Sequence, residues 1–413
     1  MKIAIINRSD SRGGAAVVSR RLMHALRDAG VDARMLVVEK LTDDDFVVAA
    51  DADLRLKACF LTERAQIFAH NGFNRADLFK VDTASFGLPL ERHPFVKEAD
   101  VVMLNWINQG MLSLDSIRRI AAEKRVIWTM HDLWNATGIC HHPGSCNNFL
   151  HNCGDCLFLG KGKRYGDLSR RIWQKKKKLY IGAGIRFVAV SNWLAEKCRQ
   201  SALLSDESVS VIPNAFHLPN SRVAKKNYDG KYTAVMAAAR LDDDIKGFPI
   251  LISALKLLPD EIASRLRIIF CGDIRNRSLL SEICVEYDWR GSVPTTEMPQ
   301  IFSKAHLVLS PSLYETLPGT LVEGQAYGAL PVAFDRGGQR DIITDANTGV
   351  LAQFGTNDME SASNFAKAIA DALKMLDTTD YEQLQANLYD NVQRHFAAQA
   401  VAARYLELID SMH

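Results

Sequence analysis

The sequence predicts an α/β protein built from two doubly wound parallel-sheet domains, and three observations predict it. Short apolar runs alternate along the whole chain with segments whose apolar residues recur at helical spacing. At 413 residues the chain exceeds what one hydrophobic core organises, so two domains are expected. A polar stretch near the middle, HLPNSRVAKKNYDGK (217–231), carries Pro, Asn, Gly and charge but no apolar period.

The elements follow in order. In the first half the strand-like runs are KIAIIN (2–7), ARMLVV (33–38), ADVVMLN (99–105), RVIWTMH (125–131), RFVAVSN (186–192) and SVSVIPN (208–214). In the second half they are TAVMAAAR (233–240), RIIFCGD (267–273), HLVLSPS (306–312), LPVAFD (330–335) and TGVLA (348–352). Strands apolar on both faces and joined through helices such as AAVVSRRLMHALRDAG and GFPILISALKLLP belong to parallel sheets. The expected organisation is a domain over 1–216, a second over 231–385, and a closing amphipathic helix over 386–413 with no strand after it.

Composition narrows the class. Hydrophobic residues at 47%, charged residues at 24% and a formal charge of +2 describe an ordinary globular protein with no global attraction for nucleic acid. MKIAIINRSD is too short for a signal-peptide core, and no run approaches the ~18 apolar residues of a spanning helix. A soluble, cytoplasmic protein is expected. Eight cysteines in so long a chain do not describe a secreted disulfide scaffold.

Ligands of open parallel sheets sit beyond the carboxyl ends of the strands, where loops enter helix N-termini. That singles out residues 7–14, 105–108, 131–132, 240–247, 272–273, 311–319 and 335–338, among others. Both halves contribute, so the expected site is a cleft between two domains.

The stretch YETLPGTLVEGQAYG (314–328) is the richest of these. A strand, a turn and a helix start follow one another, with Pro318 suited to the first helical turn. Glu315 then lies in the loop and Glu323 about one turn into the helix. Free N–H groups of Gly319 and its neighbours would form an anion site favoured by the helix dipole. A diphosphate there would repel carboxylates, so the two glutamates suit hydroxyl groups on either side of it. Two solvated acids on a capped helix are the alternative. ARLDDDIKGF adds Arg240 at a strand end and Lys246 six residues later, a fork and a point charge within reach of one anion.

Taken together these residues resemble glycosyltransferase family 4, retaining sugar-nucleotide transferases of the GT-B fold. The resemblance runs over most of the chain: RGGAA (12–16), TMHD (129–132), VAVSNWLAE (188–196), VIPNAF (211–216), AAARLDDDIKGF (237–248) and ETLPGTLVEGQAYGALPVAFDRGGQRDII (315–343). It is most similar to the colanic-acid and capsule-type polysaccharide enzymes. The resemblance implies two Rossmann-like domains, with Arg240 and Lys246 on the donor diphosphate, Glu315 on the donor sugar and Glu323 on the ribose. It also implies His131 facing the sugar, Gly13 and Gly14 admitting donor and acceptor to the first loop, and the closing helix crossing back to the N-terminal domain. Relatives often carry His where Asn105 stands. The implied donor is a UDP- or GDP-sugar and the acceptor a glycan or lipid-linked glycan. Transfer with retention would need neither a dedicated protein base nor a catalytic cofactor, because fixed cations and amides stabilise the departing diphosphate. A sugar-nucleotide epimerase on the same fold, a phosphorylase, and a non-catalytic sugar-nucleotide- or glycan-binding subunit are the competing readings.

Two further features lie between residues 132 and 180. The loop over 132–164 holds Cys140, Cys146, Cys153 and Cys156, a spacing compatible with a structural tetrahedral zinc site; free thiols and disulfides are the alternatives. The following helix (165–180) is strongly basic. It would meet an anionic membrane surface as a peripheral contact, or simply present a solvated face.

Overall fold

The computed structural model describes every residue except 51, 76, 160–165, 225 and 413. The basic residues expected at 161–164 therefore lie outside the described residues. The chain divides into two compact units, one of Met1–Ala215 with Val401–His413 and one of Phe216–Ala400.

The first unit is built on a seven-stranded parallel sheet. Its strands are β1 (Lys2–Ile6), β2 (Asp32–Val37), β3 (Val47–Ala49), β4 (Val101–Leu104), β5 (Arg125–Met130), β6 (Arg186–Ala189) and β7 (Val209–Val211), ordered β3-β2-β1-β4-β5-β6-β7. β1, β4 and β5 are buried almost throughout, which is why they read as unbroken apolar runs. The second unit carries a six-stranded parallel sheet. Here β8 (Tyr232–Arg240), β9 (Leu266–Asp273), β10 (Glu286–Trp289), β11 (Leu307–Ser310), β12 (Leu330–Phe334) and β13 (Val350–Ala352) run in the order β10-β9-β8-β11-β12-β13. Strand order reverses beside β1 in one sheet and beside β8 in the other, the point at which such folds place their ligand loops.

Two edge strands escape the sequence pattern. β3 has three residues, and β10, EYDW, is mostly exposed and alternates charge with aromatic rings. The expected single closing helix over 386–413 is two helices, Tyr381–Phe396 and Ala398–Asp410. Ala397 leaves the helical region because Phe216 pairs with it: the Phe216 N–H donates to Phe396 O at 2.9 Å and the Ala398 N–H to Phe216 O at 3.0 Å. From Val401 onward the last helix belongs to the first unit, where Tyr405 Oη lies 2.9 Å from Thr129 Oγ1 at the end of β5.

The polar stretch 217–231 is not a free linker. Tyr389 Oη donates to Pro219 O at 2.9 Å, the Lys226 N–H donates to Tyr381 Oη at 3.0 Å, and the buried Lys226 ammonium donates to Ala305 O. Its lack of apolar period reflects polar strapping onto the second unit.

Candidate active site

In the second unit, β8 ends at Arg240 after a register shift against β9 between Ala237 and Arg240. Arg240 donates to Asp243 Oδ2 at 2.7 Å and lies 3.5 Å from Asp242 Oδ1. Asp242 in turn accepts from the backbone N–H groups of Arg275 and Asn276, at 2.9 and 2.8 Å. Two of the aspartates between Arg240 and Lys246 thus hold loops, and the Arg240 side chain stays about one-third exposed.

Lys246 closes a 3-10 turn over Asp244–Lys246, capped by Asp243. Gly247 follows at φ +67°, and a Cβ there would stand 2.0 Å from Pro311 O. Only glycine permits that approach. The Leu313 N–H completes the seam by donating to Ile245 O at 2.8 Å. The seam lays the Lys246 loop along residues 311–313, and Lys246 Nζ donates to Glu315 Oε1 at 2.5 Å.

Glu315 is fixed from its other side. Gly338 N–H donates to Glu315 O at 2.9 Å, and a Cβ at Gly337, whose φ is +72°, would meet that oxygen at 2.4 Å. Gln339 Nε2 donates to Ser310 O at 3.0 Å and ties the same turn to the end of β11. The sequence held a signal for this in the Gly-Gly pair after β12.

The helix Gly319–Ala326 has Pro318 as its N-cap rather than within its first turn, and no capping side chain. Leu317 and Pro318 are buried, so they offer the site backbone rather than side chains. The first-turn N–H groups of Gly319 and Thr320 belong to the open, positive end of the helix. Gly319 also sits tight against Phe216, whose ring a Cβ would meet at 3.1 Å. Glu323 lies one turn in and is half-buried. Gly324 on the same helix packs on Val308 of β11, where a Cβ would stand 2.5 Å from a methyl group. Arg240, Lys246, Glu315, Glu323 and the 317–320 backbone therefore belong to the segments that follow β8 and β11, adjacent strands of one sheet, at their carboxyl ends.

His131, Gly13 and Gly14 belong to the first unit. Gly13 is the N-cap of the Gly14–Asp28 helix at φ +89°, and neither glycine has an atom within 4 Å of where a Cβ would stand. Backbone conformation requires glycine at 13; the space around both is open. His131 Nε2 lies 3.0 Å from Asn105 Oδ1, a hydrogen-bond partner that orients the ring. Withdrawal from water pushes His131 down to about 4 against the opposing pull of Asp132, so the imidazole is neutral at pH 7.

The sequence did not single out the ion network behind His131. His141 lies 2.8 Å from Asp132 Oδ2 through Nδ1 and 2.7 Å from Asp82 Oδ2 through Nε2. Arg64 pairs with Asp82 and Glu63 behind it, all but fully buried. Burial works against charge on His141, but Asp132 and Asp82 outweigh it and raise its pKa to about 10. Burial likewise works to raise the Asp132 carboxyl, yet His141 and the Trp134 N–H hold it at about 2.

Cys140, Cys146, Cys153 and Cys156 are free, and among the described residues no three His, Cys, Asp or Glu side chains converge to hold a metal ion. Burial raises the Cys140 thiol to about 12 and Cys156 to about 11. Buried polar contacts tie the loop to the helix that follows it. Lys176, fully buried in the lysine run, donates to Trp134 O at 2.6 Å and Thr137 O at 3.1 Å and stands 3.2 Å over the Trp134 ring. The Leu168–Tyr180 helix buries Leu168, Ile172, Lys176, Leu179 and Tyr180, so one lysine of the run serves the core.

Comparison with known proteins shows what the chain is similar to. Residues 220–389, most of the second unit, match the family model described as glycosyl transferases group 1. The fold is that of GT-B glycosyltransferases. The chain is similar to Anabaena HepE in complex with UDP (TM-score 0.63, 15% identity, all of both chains covered). It is also similar to a sucrose-phosphate synthase from Thermosynechococcus elongatus (TM-score 0.65, 16% identity, 99% of this chain and 98% of that one). Among curated sequences it is similar to an uncharacterized 41.2 kDa protein in the cps region of Klebsiella pneumoniae, 25% identical over 44% of this chain and 53% of that protein. A 2-deoxystreptamine N-acetyl-D-glucosaminyltransferase of Niallia circulans is 27% identical over 55% of this chain and 57% of its own length. The chain spans about half the length of the curated relatives it matches. No helix among the described residues is long and apolar enough to cross a membrane.

Proposed function

We propose that this protein is a retaining glycosyltransferase of family 4 that moves a sugar from a nucleoside diphosphate sugar to a glycan or lipid-linked acceptor in surface polysaccharide synthesis. The observation that carries the reading is the Lys246–Glu315 pair, 2.5 Å apart at the uncapped end of the Gly319–Ala326 helix, inside the group 1 glycosyl transferase region. Lys246 and Arg240 bind the diphosphate together with the first-turn amides. With an anion present, Lys246 turns part of its charge toward phosphate and leaves Glu315 free to accept from sugar hydroxyls. Glu323 holds the ribose. As the glycosidic bond breaks, charge builds on the departing diphosphate, where fixed cations and amides are already in place. His131, neutral and oriented by Asn105, hydrogen-bonds the transferring sugar. The acceptor hydroxyl attacks on the leaving-group face and passes its proton to a phosphate oxygen. UDP is the favoured nucleotide because solved GT-B neighbours hold UDP and UDP-glucose.

Turnover decides the proposal. Wild-type protein given a panel of UDP- and GDP-sugars with lipid-linked glycan acceptors should release nucleoside diphosphate and form an α-configured product from an α-configured donor. Arg240→Ala and Glu323→Ala should abolish release while the protein stays folded. An inverted product would remove the retaining mechanism. Donor binding without release for any pair would favour a binding subunit.

A further inference from the structure

The helix Asp53–His70 is inverted. Its buried residues are Glu63, Arg64 and Ile67, while Leu54 is 85% and Leu61 63% exposed. Leu54, Ala58, Leu61 and Ala65, spaced four, three and four apart, fall on one stripe of the helix, and all four are exposed. The inward ion pair explains why the helix stays put: Glu63 Oε1 accepts from the Thr83 and Ala84 N–H groups at 2.8 and 2.7 Å, and Arg64 pairs with Asp82. Polar anchors hold the inner face, so the outer face is free to be apolar.

The apolar surface extends beyond the helix. Phe73, 57% exposed, meets Phe68 edge-on at 5.3 Å, and Phe79, 61% exposed, stacks on Phe60 at 6.4 Å. The basic helix lies alongside, since Arg171 Nη2 approaches His70 Nε2 to 2.8 Å. That helix exposes Arg170, Arg171, Lys175 and Lys178 and contains no acid. Arg55 and Lys57 add exposed cations to the inverted helix itself. An aliphatic and aromatic stripe flanked by cations, with Asp53 as the one exposed acid of its helix, is complementary to an anionic lipid leaflet.

We infer that the Asp53–His70 helix is a membrane-docking element, its Leu54–Leu61 stripe entering the acyl boundary and the Leu168–Tyr180 helix meeting anionic headgroups. The basic helix alone supplies attraction without insertion; the leucines supply the anchor. A soluble partner would cover the leucines but would not require cations on both helices. The inference stands apart from the donor chemistry, and its failure would leave that untouched.

Co-sedimentation of the full chain with vesicles tests it, using phosphatidylcholine alone and phosphatidylcholine mixed with phosphatidylglycerol. Wild type should bind the mixed vesicles and not the neutral ones. Leu54→Ser combined with Leu61→Ser should weaken that binding about tenfold or more with thermal unfolding unchanged, because both side chains are already exposed. Lys175→Glu combined with Lys178→Glu should remove the preference for phosphatidylglycerol. Wild-type-like binding by the serine pair, or no binding by wild type, would overturn the inference. So would a concentration-dependent dimer that the serine pair makes monomeric, since a second copy would then be the occupant.

Discussion

Lys246 and Glu315 neutralise one another at 2.5 Å, both about one-fifth exposed, so each substitution changes charge rather than core packing. Lys246→Ala should lower kcat/KM by about a hundred- to a thousandfold, the loss that follows removal of one preorganised donor to a developing anion. Steady-state kinetics on the most active donor would measure it, and a KM effect with unchanged kcat would move Lys246 from the transition state to ground-state binding. His131 makes a different prediction. Held neutral with its pKa near 4, it should contribute no limb to the pH–rate profile between about pH 5 and 8. Asn105→Asp places a carboxylate 3.0 Å from the ring and raises that pKa, so the variant should lose activity on acidification at a higher pH than wild type does. A wild-type limb near pH 6.5 that disappears in His131→Gln would sink this account.

At the scale of elements, the loops that hold the site depend on glycines with positive φ. Gly247→Ala sets a Cβ 2.0 Å from Pro311 O and forces an unfavourable conformation costing about 1–3 kcal/mol before any clash. It should lower the melting temperature and weaken donor binding together, whereas Gly14→Ala, in open space, should do neither through packing. The His141 clamp behind β5 carries the sharpest stability prediction. His141 has its pKa raised to about 10 from an ordinary 6.5 by Asp132 and Asp82. Its contribution is therefore fully present below about pH 6.5 and is lost as pH climbs through 10. His141→Ala removes the cationic partner of Asp132 and one of the two partners of Asp82, which keeps Arg64, and should cost about 3–5 kcal/mol at neutral pH. Denaturant titrations at neutral and alkaline pH would read both effects; a variant as stable as wild type at pH 7 would show the network to be neutral in energy.

For the whole molecule, each unit has its own sheet and core, so unfolding need not be a single two-state event. A nucleotide that binds only folded protein stabilises by about 2.7 kcal/mol at a hundredfold excess over its Kd. UDP should first slow hydrogen exchange in peptides from 240–247 and 315–323. Arg240→Ala should erase that protection. Protection confined to residues 1–215 would contradict the assignment of the diphosphate to the second unit.

Much of this was written in the chain. Eleven strand-like runs announced two parallel sheets because strands buried on both faces are apolar throughout, and Arg240, Lys246, Glu315 and Glu323 stood out as charges beside helix starts. Edge strands β3 and β10 stayed hidden because a short or exposed strand leaves no apolar run. Only the tertiary structure decided which charges turn inward. Lys176 turns inward from a basic run that the sequence allows to be a solvated face, Glu63 and Arg64 are buried, and Leu54 and Leu61 face outward. The three charges can be buried because side chains distant in sequence, among them Trp134, Thr137, Asp82 and Thr83, supply their partners. Periodicity along the chain reports hydrophobicity, and it cannot report which polar groups will meet across it.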